Sequence, residues 1–203
     1  MFPDIARDDV FRLETKRLWL RWPRVADALA VERYSSKWEV ARMTARIPHP
    51  YPPGEAERFI FAARQANALG QDLILVIASN RGKRDPFGMI SLESRRQGRL
   101  TLGYALAPET WGKGYATEAA QAIVDAGFSL TNAVEMLASI RPDNPASRRV
   151  LEKCGFAYTG SGLEGAPARG GMVPCERFRM ERALWAGAFG RVSAAAAATG
   201  ASL

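Results

Sequence analysis

The sequence lacks any long hydrophobic run. In a chain of 203 residues the longest uninterrupted apolar segment, Leu73 to Ala78, has the length of a strand and is far too short to span a bilayer. The first residues, MFPDIARDD, include acids and lack the apolar core of a signal peptide. We therefore expect a cytoplasmic protein with no membrane partner.

Cysteine and histidine, which build many catalytic and metal sites, are scarce. The chain has two cysteines, Cys154 and Cys175, and one histidine, His49. Two cysteines suit a reducing compartment, where a structural disulfide is not expected. No cluster has the spacing of metal ligands, so the sequence predicts no metal. Because Cys154 has no neighbouring base to activate its thiol, we expect it to fill the core.

The composition is that of a soluble globular protein, with 47% hydrophobic and 24% charged residues. We expect a single domain over residues 1–185 and an Ala-rich tail over 186–203, which is too poor in large apolar residues to join a core. Lys and Arg outnumber Asp and Glu by 28 to 21, a net charge of +7. This excess favours nucleic acid, an acidic surface or a phosphorylated small molecule as partner, or is simply a solvated basic surface.

Strands and helices alternate along the chain in the order that an α/β fold requires. Alternating bulky and basic residues predict a first strand at Arg17–Arg21, and a short helix is expected at Asp27–Ser35. The stretch IPHPYPP is expected to be extended, because proline disfavours helix. The remaining predicted elements are the helix GEAERFIFAARQANALG, a meander of LILVIAS, FGMISLE and LTLGYAL, a helix ending near Phe128, the strand VEMLASI, the helix ASRRVLEKC, and strands at Phe156–Thr159 and Cys175–Met180. The pattern predicts a mixed sheet with helices on both faces.

The stretch ETWGKGYATEAA contains a glycine turn at the start of a predicted helix. Gly112 and Gly114 allow the main chain to approach a ligand closely, and a helix N-terminus offers free N–H groups to an anion. A tight turn without a ligand is the alternative. The spacing does not fit a P-loop, and the dinucleotide fingerprint fails because Thr117 stands where its third glycine belongs.

A second stretch, RPDNPASRRVLEKCGF, surrounds the start of the next predicted helix. Asn144 and Ser147 lie three residues apart there, so that one could cap the helix while the other faces the same side. Simple capping by Asp143 or Asn144 explains the same residues.

Together these two stretches resemble the GCN5-related N-acetyltransferase (GNAT) superfamily, in particular its branch of ribosomal-protein N-terminal acetyltransferases. The first is similar to the pyrophosphate-binding signature Q/R-x-x-G-x-G/A of that family, laid onto Trp111 to Ala116. The second is similar to the branch segment N-P-A-S-x-x-V-L-E-K-x-G-F. Further matches are ETKRLWLR, PHPYPPGEAERFI and LGYALAPETWGKG, and the resemblance covers about Glu14 to Leu184.

Two residues depart from the family pattern. Trp111 stands where the signature has Gln or Arg, which leaves phosphate contacts to the main-chain N–H groups. Leu151 occupies the place where many members of the superfamily have a tyrosine acid; the branch itself commonly lacks that tyrosine and has Ser147.

The resemblance implies an α/β GNAT fold, with a central mixed, mostly antiparallel sheet of six to seven strands, flanked by helices and splayed at the acetyl-CoA site. It implies direct transfer of acetyl from acetyl-CoA to a primary amine of a protein N-terminus or a small molecule, in a ternary complex. A CoA-binding sensor or interaction module without turnover is the alternative. Nucleic-acid binding is not expected, because no motif supports it. A monomer or homodimer suits the family.

The resemblance also implies roles for individual residues. Glu109 is the candidate base for the amine, and Ser147 and Tyr104 are candidate donors to the departing thiolate. His49 and Tyr51 are expected to wall the acceptor pocket. The residues expected to bind acetyl-CoA are Leu106, Ala107, Trp111, Gly112, Lys113, Gly114, Tyr115, Ala116, Asn144 and Ser147.

Overall fold

The computed structural model describes residues 2–82, 84–95 and 98–188. Over these residues the chain forms strands and helices that alternate in the second half. The strands are β1 (Arg12–Glu14), β2 (Leu18–Arg21), β3 (Asp72–Ser79), β4 (Pro86–Arg95), β5 (Arg99–Leu106), β6 (Glu135–Ile140), β7 (Ala157–Ala166) and β8 (Gly171–Glu181). The helices are α1 (Ala28–Ser35), α2 (Trp38–Ala41), α3 (Glu55–Ala68), α4 (Tyr115–Leu130), α5 (Pro145–Lys153) and α6 (Arg182–Ala188).

The described strands form one sheet of eight, in the order β1-β2-β3-β4-β5-β6-β8-β7. All neighbours are antiparallel except β5 and β6. The α/β class and the meander of β3, β4 and β5 are confirmed. The expected six to seven strands are a slight undercount. One reason is β1, which has three residues and one half-buried position and so carries almost no sequence pattern.

Helices cover the sheet on both faces, as the sequence predicts. Successive residues of a strand point to opposite faces, and both Leu75 and Val76 of β3 are fully buried. Leu75 belongs to the larger core cluster with Ile123 and Phe128 of α4. Helices α1 and α3 bury their apolar residues in a second cluster, and α3 packs on β3.

The parallel pair of β5 and β6 holds together only at its beginning. The register runs from Arg99 opposite Glu135 to Thr101 opposite Leu137 and stops there, although both strands continue. A parallel pair requires a crossover connection, and α4 provides it. The sheet is therefore splayed at the carboxyl ends of β5 and β6, next to the N-terminus of α4.

Both ends of the described chain can be compared with the predicted domain of residues 1–185. Phe2 is only 1% exposed and lies in the larger core cluster, so the first residues pack into the fold, within those bounds. At the other end α6 extends to Ala188, and residues 189–203 of the predicted Ala-rich tail lie outside the described residues. Among the helices that the structure describes, none has the length and apolar character needed to cross a membrane.

A buried ion pair joins β2 to the turn before α1. Both guanidinium NH groups of Arg21 donate to the Asp27 carboxylate at 2.7 and 2.8 Å, and the Arg24 N–H donates to the same carboxylate at 2.7 Å. We predict that Asp27→Ala lowers the free energy of unfolding by about 3–5 kcal/mol, because it leaves the buried Arg21 charge unpaired. Denaturant unfolding measures this.

The matched control for this prediction is Glu55→Ala. Glu55 pairs with Arg58 on the surface of α3, where ion pairs contribute about 1 kcal/mol or less. Equal losses for the two variants would contradict a stabilising role for the buried pair.

Candidate active site

A cavity of about 490 Å³ occupies the opening between β5 and β6. Its walls come from the carboxyl ends of these two strands, the turn before α4 with the first turn of that helix, one side of α5, and α2 with the residues after it. In open α/β sheets, ligands bind at the carboxyl ends of strands where the topology changes. The predicted site residues that line this cavity are Tyr104, Leu106, Trp111, Gly112, Gly114, Tyr115, Ala116, Asn144 and Ser147.

The glycine turn has the conformation that only glycine adopts without strain. Gly112 and Gly114 have φ of +73° and +78°, and a Cβ at Gly112 would meet no atom within 4 Å. Gly114 directly precedes α4, whose first N–H groups have no intrahelical partners. The turn therefore presents open main chain and the positive end of the α4 dipole to the cavity.

Arg17, which the sequence analysis did not select, braces this turn. Its guanidinium donates to the Lys113 carbonyl at 2.9 Å and to Glu118 at 2.6 Å, and it lies 4.6 Å above the Tyr115 ring. Glu118 also accepts from the Thr15 hydroxyl at 2.6 Å. These contacts join the β1–β2 turn to the first turn of α4. No local signal reveals them, because about a hundred residues separate the partners.

Tyr104 and Ser147 form a hydroxyl pair inside the cavity. The two oxygens are 2.6 Å apart, and either atom could be the donor. Asn144 caps α5 by accepting from the Ser147 N–H at 3.0 Å, which fixes Ser147 in the first turn. Burial raises the pKa of Tyr104 well above its usual value, so its phenol stays protonated at neutral pH.

The main chain of β5 is open toward the gap. The Ala107 N–H donates to the Phe87 carbonyl on the β4 side at 2.7 Å. Because N–H groups alternate along a strand, those of Tyr104 and Leu106 point to the opposite side, beyond the last β6 pairing. The Leu106 carbonyl accepts from the Trp111 indole N–H at 2.8 Å. Trp111 thus braces the end of β5, while Ala107 does not line the cavity.

Four other predicted residues lie outside the cavity lining. Glu109 is exposed and pairs with Lys37 at 2.9 Å, and this hydrogen bond holds its pKa below the usual value. His49 packs against Trp38, with ring centroids 5.1 Å apart and the ring planes tilted by 49°. Tyr51 packs against the second core cluster, where burial raises its pKa to about 12. Lys113 is exposed, and its carbonyl accepts from Arg17.

The acid in the cavity lining is Glu39, on α2. The sequence analysis did not select Glu39, because α2 is a four-residue helix and Glu39 belongs to none of the recognised motifs. Arg149 and Lys153 of α5 line the cavity as well and add positive charge. Arg148, by contrast, turns away and pairs with Glu152 and Glu176.

The described residues show neither a metal-binding cluster nor an activated thiol. No group of three or more His, Cys, Asp or Glu side chains could hold an ion among them. Cys154 is buried, and burial raises its pKa to about 12. The thiol is therefore protonated at neutral pH and fills the core, as the sequence analysis expected.

Residues 17–157 match the family model described as an acetyltransferase (GNAT) domain. The chain belongs to the GNAT acetyltransferase family. A relative in Bacillus licheniformis, the uncharacterized N-acetyltransferase p20, is 29% identical over 186 residues, which are 86% of this chain and 98% of that protein. The family inferred from the two motifs is confirmed.

Solved structures share the same GNAT fold. The ribosomal-protein-S5-alanine acetyltransferase of Vibrio fischeri has a TM-score of 0.72 and 20% identity, covering 85% of this chain and 97% of that one. The spermidine N-acetyltransferase of Vibrio cholerae, solved with CoA and spermine, has a TM-score of 0.68 and 17% identity, covering 83% and 98%. The structures similar in fold to this chain thus include Rim-type ribosomal-protein acetyltransferases.

We predict that Tyr104 ionises only well above the usual tyrosine pKa of about 10. Burial favours the neutral phenol, so this group contributes to the folding stability below the usual pKa of about 10. The contribution is lost as the pH rises through the raised pKa of the folded protein. In a pH titration followed by tyrosinate absorbance, Tyr104→Phe should remove signal only at pH values well above the usual tyrosine pKa. Signal lost in the ordinary tyrosine range would show that the hydroxyl is not buried.

Proposed function

We propose that this GNAT protein is an acetyl-CoA-dependent N-acetyltransferase that transfers acetyl directly to a primary amine in a ternary complex. The observation that carries the proposal is the opening between β5 and β6, with a glycine turn at the start of α4 and a hydroxyl pair in its wall. Acetyl-CoA supplies the activated thioester, and the protein has to bind it, position the amine and stabilise charge.

The turn at Gly112 and Gly114 would hold the pyrophosphate of CoA. Its open main chain and the free N–H groups of α4 suit an anion, and the Trp111 departure from the signature is no obstacle. The indole N–H of Trp111 is already bound to the Leu106 carbonyl, so phosphate recognition falls to the main chain. Arg149 and Lys153 add positive charge along the same cavity.

The open edge of β5 would pair with the amides of the pantetheine arm. The main-chain groups of Tyr104 face the gap where β6 has moved away. The Leu106 N–H points the same way, and its place at the end of β5 suits it as the donor to the developing oxyanion. Asn144, at the start of α5, would contact the arm from the other side.

The Tyr104 and Ser147 hydroxyls would stabilise the departing thiolate. A phenol whose pKa lies above its usual value of about 10 is a weaker acid than a thiol with a pKa of about 8.5. Tyr104 therefore acts as a hydrogen-bond donor to Ser147, which passes its own hydroxyl hydrogen bond to the sulfur. Full proton transfer to the thiolate is not needed at neutral pH.

We assign Glu39 as the general base that removes a proton from the amine. The amine has to lose a proton before it attacks, and Glu39 is the carboxylate that lines the cavity, from α2. Glu109, the base expected from the sequence, is bound to Lys37, and the lowered pKa makes it a weaker base. Glu39 would take the proton directly or through water.

We predict that acetyl-CoA binds saturably in calorimetric titration and that Gly114→Asp weakens binding by roughly tenfold or more. The aspartate would place a carboxylate and a Cβ where the pyrophosphate is expected. Gly82→Asp is the matched control, because Gly82 also has a positive φ, of +67°, and does not line the cavity.

Two outcomes would count against this assignment. Equal affinity in Gly114→Asp and the unmodified protein would remove the turn from the binding site. Absence of acetyl-CoA binding by the unmodified protein would exclude both the acetyltransferase and the CoA-binding sensor.

We predict that Glu39→Gln lowers kcat/KM by roughly 100-fold, whereas Glu109→Gln changes it little. The two substitutions are isosteric and differ in whether the carboxylate lines the cavity. Steady-state rates of thiol release measure both. A larger loss of kcat/KM in Glu109→Gln than in Glu39→Gln would assign the base to Glu109. Binding of acetyl-CoA without turnover of any amine would favour the CoA-binding sensor.

A further inference from the structure

A second, smaller cavity adjoins the proposed active site. Its volume is about 50 Å³, and Met43, Thr44, Ser139 and Ile140 line both cavities. A water molecule takes about 30 Å³ in the liquid, so this space suits one functional group rather than a whole ligand. It extends the main cavity at the end formed by β6 and the residues after α2.

Two arginines from separate parts of the chain line this small cavity. Arg141 directly follows β6, and Arg169 ends a short 3-10 helix, Pro167–Arg169, between β7 and β8. The Nε atom of each is buried, and neither finds a hydrogen-bond partner among the described residues. A buried donor without a partner is destabilising, and more so when it is charged.

The surrounding acids balance this positive charge only in part. Asp143 receives a hydrogen bond from Arg42 at 2.9 Å and forms a long ion pair with the Arg141 Nε at 3.9 Å, which is too far for a hydrogen bond. The acid in the lining of the small cavity is Glu164, which is exposed. Arg169 donates to the Ile47 carbonyl, a neutral acceptor. The small cavity therefore favours an anionic group.

We propose, on the basis of the acetyltransferase function above, that Arg141 and Arg169 bind a carboxylate of the acceptor. The acceptor is then an amine that also carries a carboxylate, as amino acids and acidic peptides do. A guanidinium matches a carboxylate with two parallel hydrogen bonds, and a carboxylate fits the volume. Glu39 in the adjoining cavity supplies the opposite charge for the ammonium group.

The same charges select against polyamines. A polyamine carries only cationic groups, and its second ammonium would meet Arg141 and Arg169 in the small cavity. Like charges brought together in a partly buried site oppose binding. The proposed acceptor site, with Glu39 on one side and the two arginines on the other, therefore favours a molecule that carries charges of both signs.

The test uses matched pairs of acceptors that differ only in the anionic group. The panel consists of the common amino acids, and of dipeptides with acidic side chains, each as the carboxylate and as the corresponding amide. We expect at least one carboxylate acceptor to show kcat/KM roughly tenfold or more above its amide. Arg141→Gln should lower that value by roughly 10- to 100-fold and leave the amide almost unchanged.

Arg58→Gln is the control, because Arg58 is an exposed arginine on α3 that lines neither cavity. Arg141 is chosen for substitution because Arg169 also holds the Ile47 carbonyl. Thermal unfolding of Arg141→Gln and calorimetry with acetyl-CoA confirm that the fold and the donor site are intact. Saturation-transfer NMR with the same panel gives a readout of acceptor binding that does not depend on turnover.

The proposal is overturned if the amides are acetylated with the same kcat/KM as the carboxylates. It is overturned too if Arg141→Gln lowers kcat/KM equally for both forms. It is also overturned if the protein binds acetyl-CoA but neither binds nor acetylates any carboxylate of the panel. Failure to bind acetyl-CoA would instead contradict the acetyltransferase function. In that case the NMR measurement still decides whether the arginine pair binds a carboxylate.

Discussion

The separation of β5 from β6 beyond Thr101 creates the cavity in which we propose that acetyl-CoA binds. In a fully paired sheet the main chain of β5 would be satisfied by its neighbour. Here the N–H groups of Tyr104 and Leu106 face a cavity of about 490 Å³ instead. The α4 crossover that makes the pair parallel also brings a helix N-terminus to the open end. One topological feature thus supplies both an open strand edge and a helix N-terminus.

The rest of the site depends on contacts that hold this opening in shape. Trp111 binds the last carbonyl of β5, and Arg17 binds the Lys113 carbonyl within the glycine turn. Glu118 fixes Arg17 in turn. On the other wall the Asn144 cap holds Ser147 against Tyr104. Each of these side chains satisfies a main-chain group or another side chain, so the opening is kept in place by hydrogen bonds.

The sequence was most informative where the signal was local. Local sequence predicted the glycine turn at Gly112 and Gly114 and the helix cap at Asn144. The family resemblance then assigned both features to the binding of acetyl-CoA. Glu39 was missed because tertiary packing alone brings α2 to the gap. His49 was expected at the acceptor wall, and the structure places it beside Trp38, outside the cavity lining. Local patterns thus predict turns and caps, and long-range packing decides which side chains share a cavity.

The central claim, that CoA binds along the open edge of β5 and across the glycine turn, is tested most directly by hydrogen exchange of backbone amides with and without acetyl-CoA. The account predicts slower exchange in two segments, Leu102–Leu106 of β5 and Gly112–Ala116 at the start of α4, with little change in the β7–β8 hairpin. Unchanged exchange in both segments under saturating acetyl-CoA, or protection confined to another part of the sheet, would contradict it.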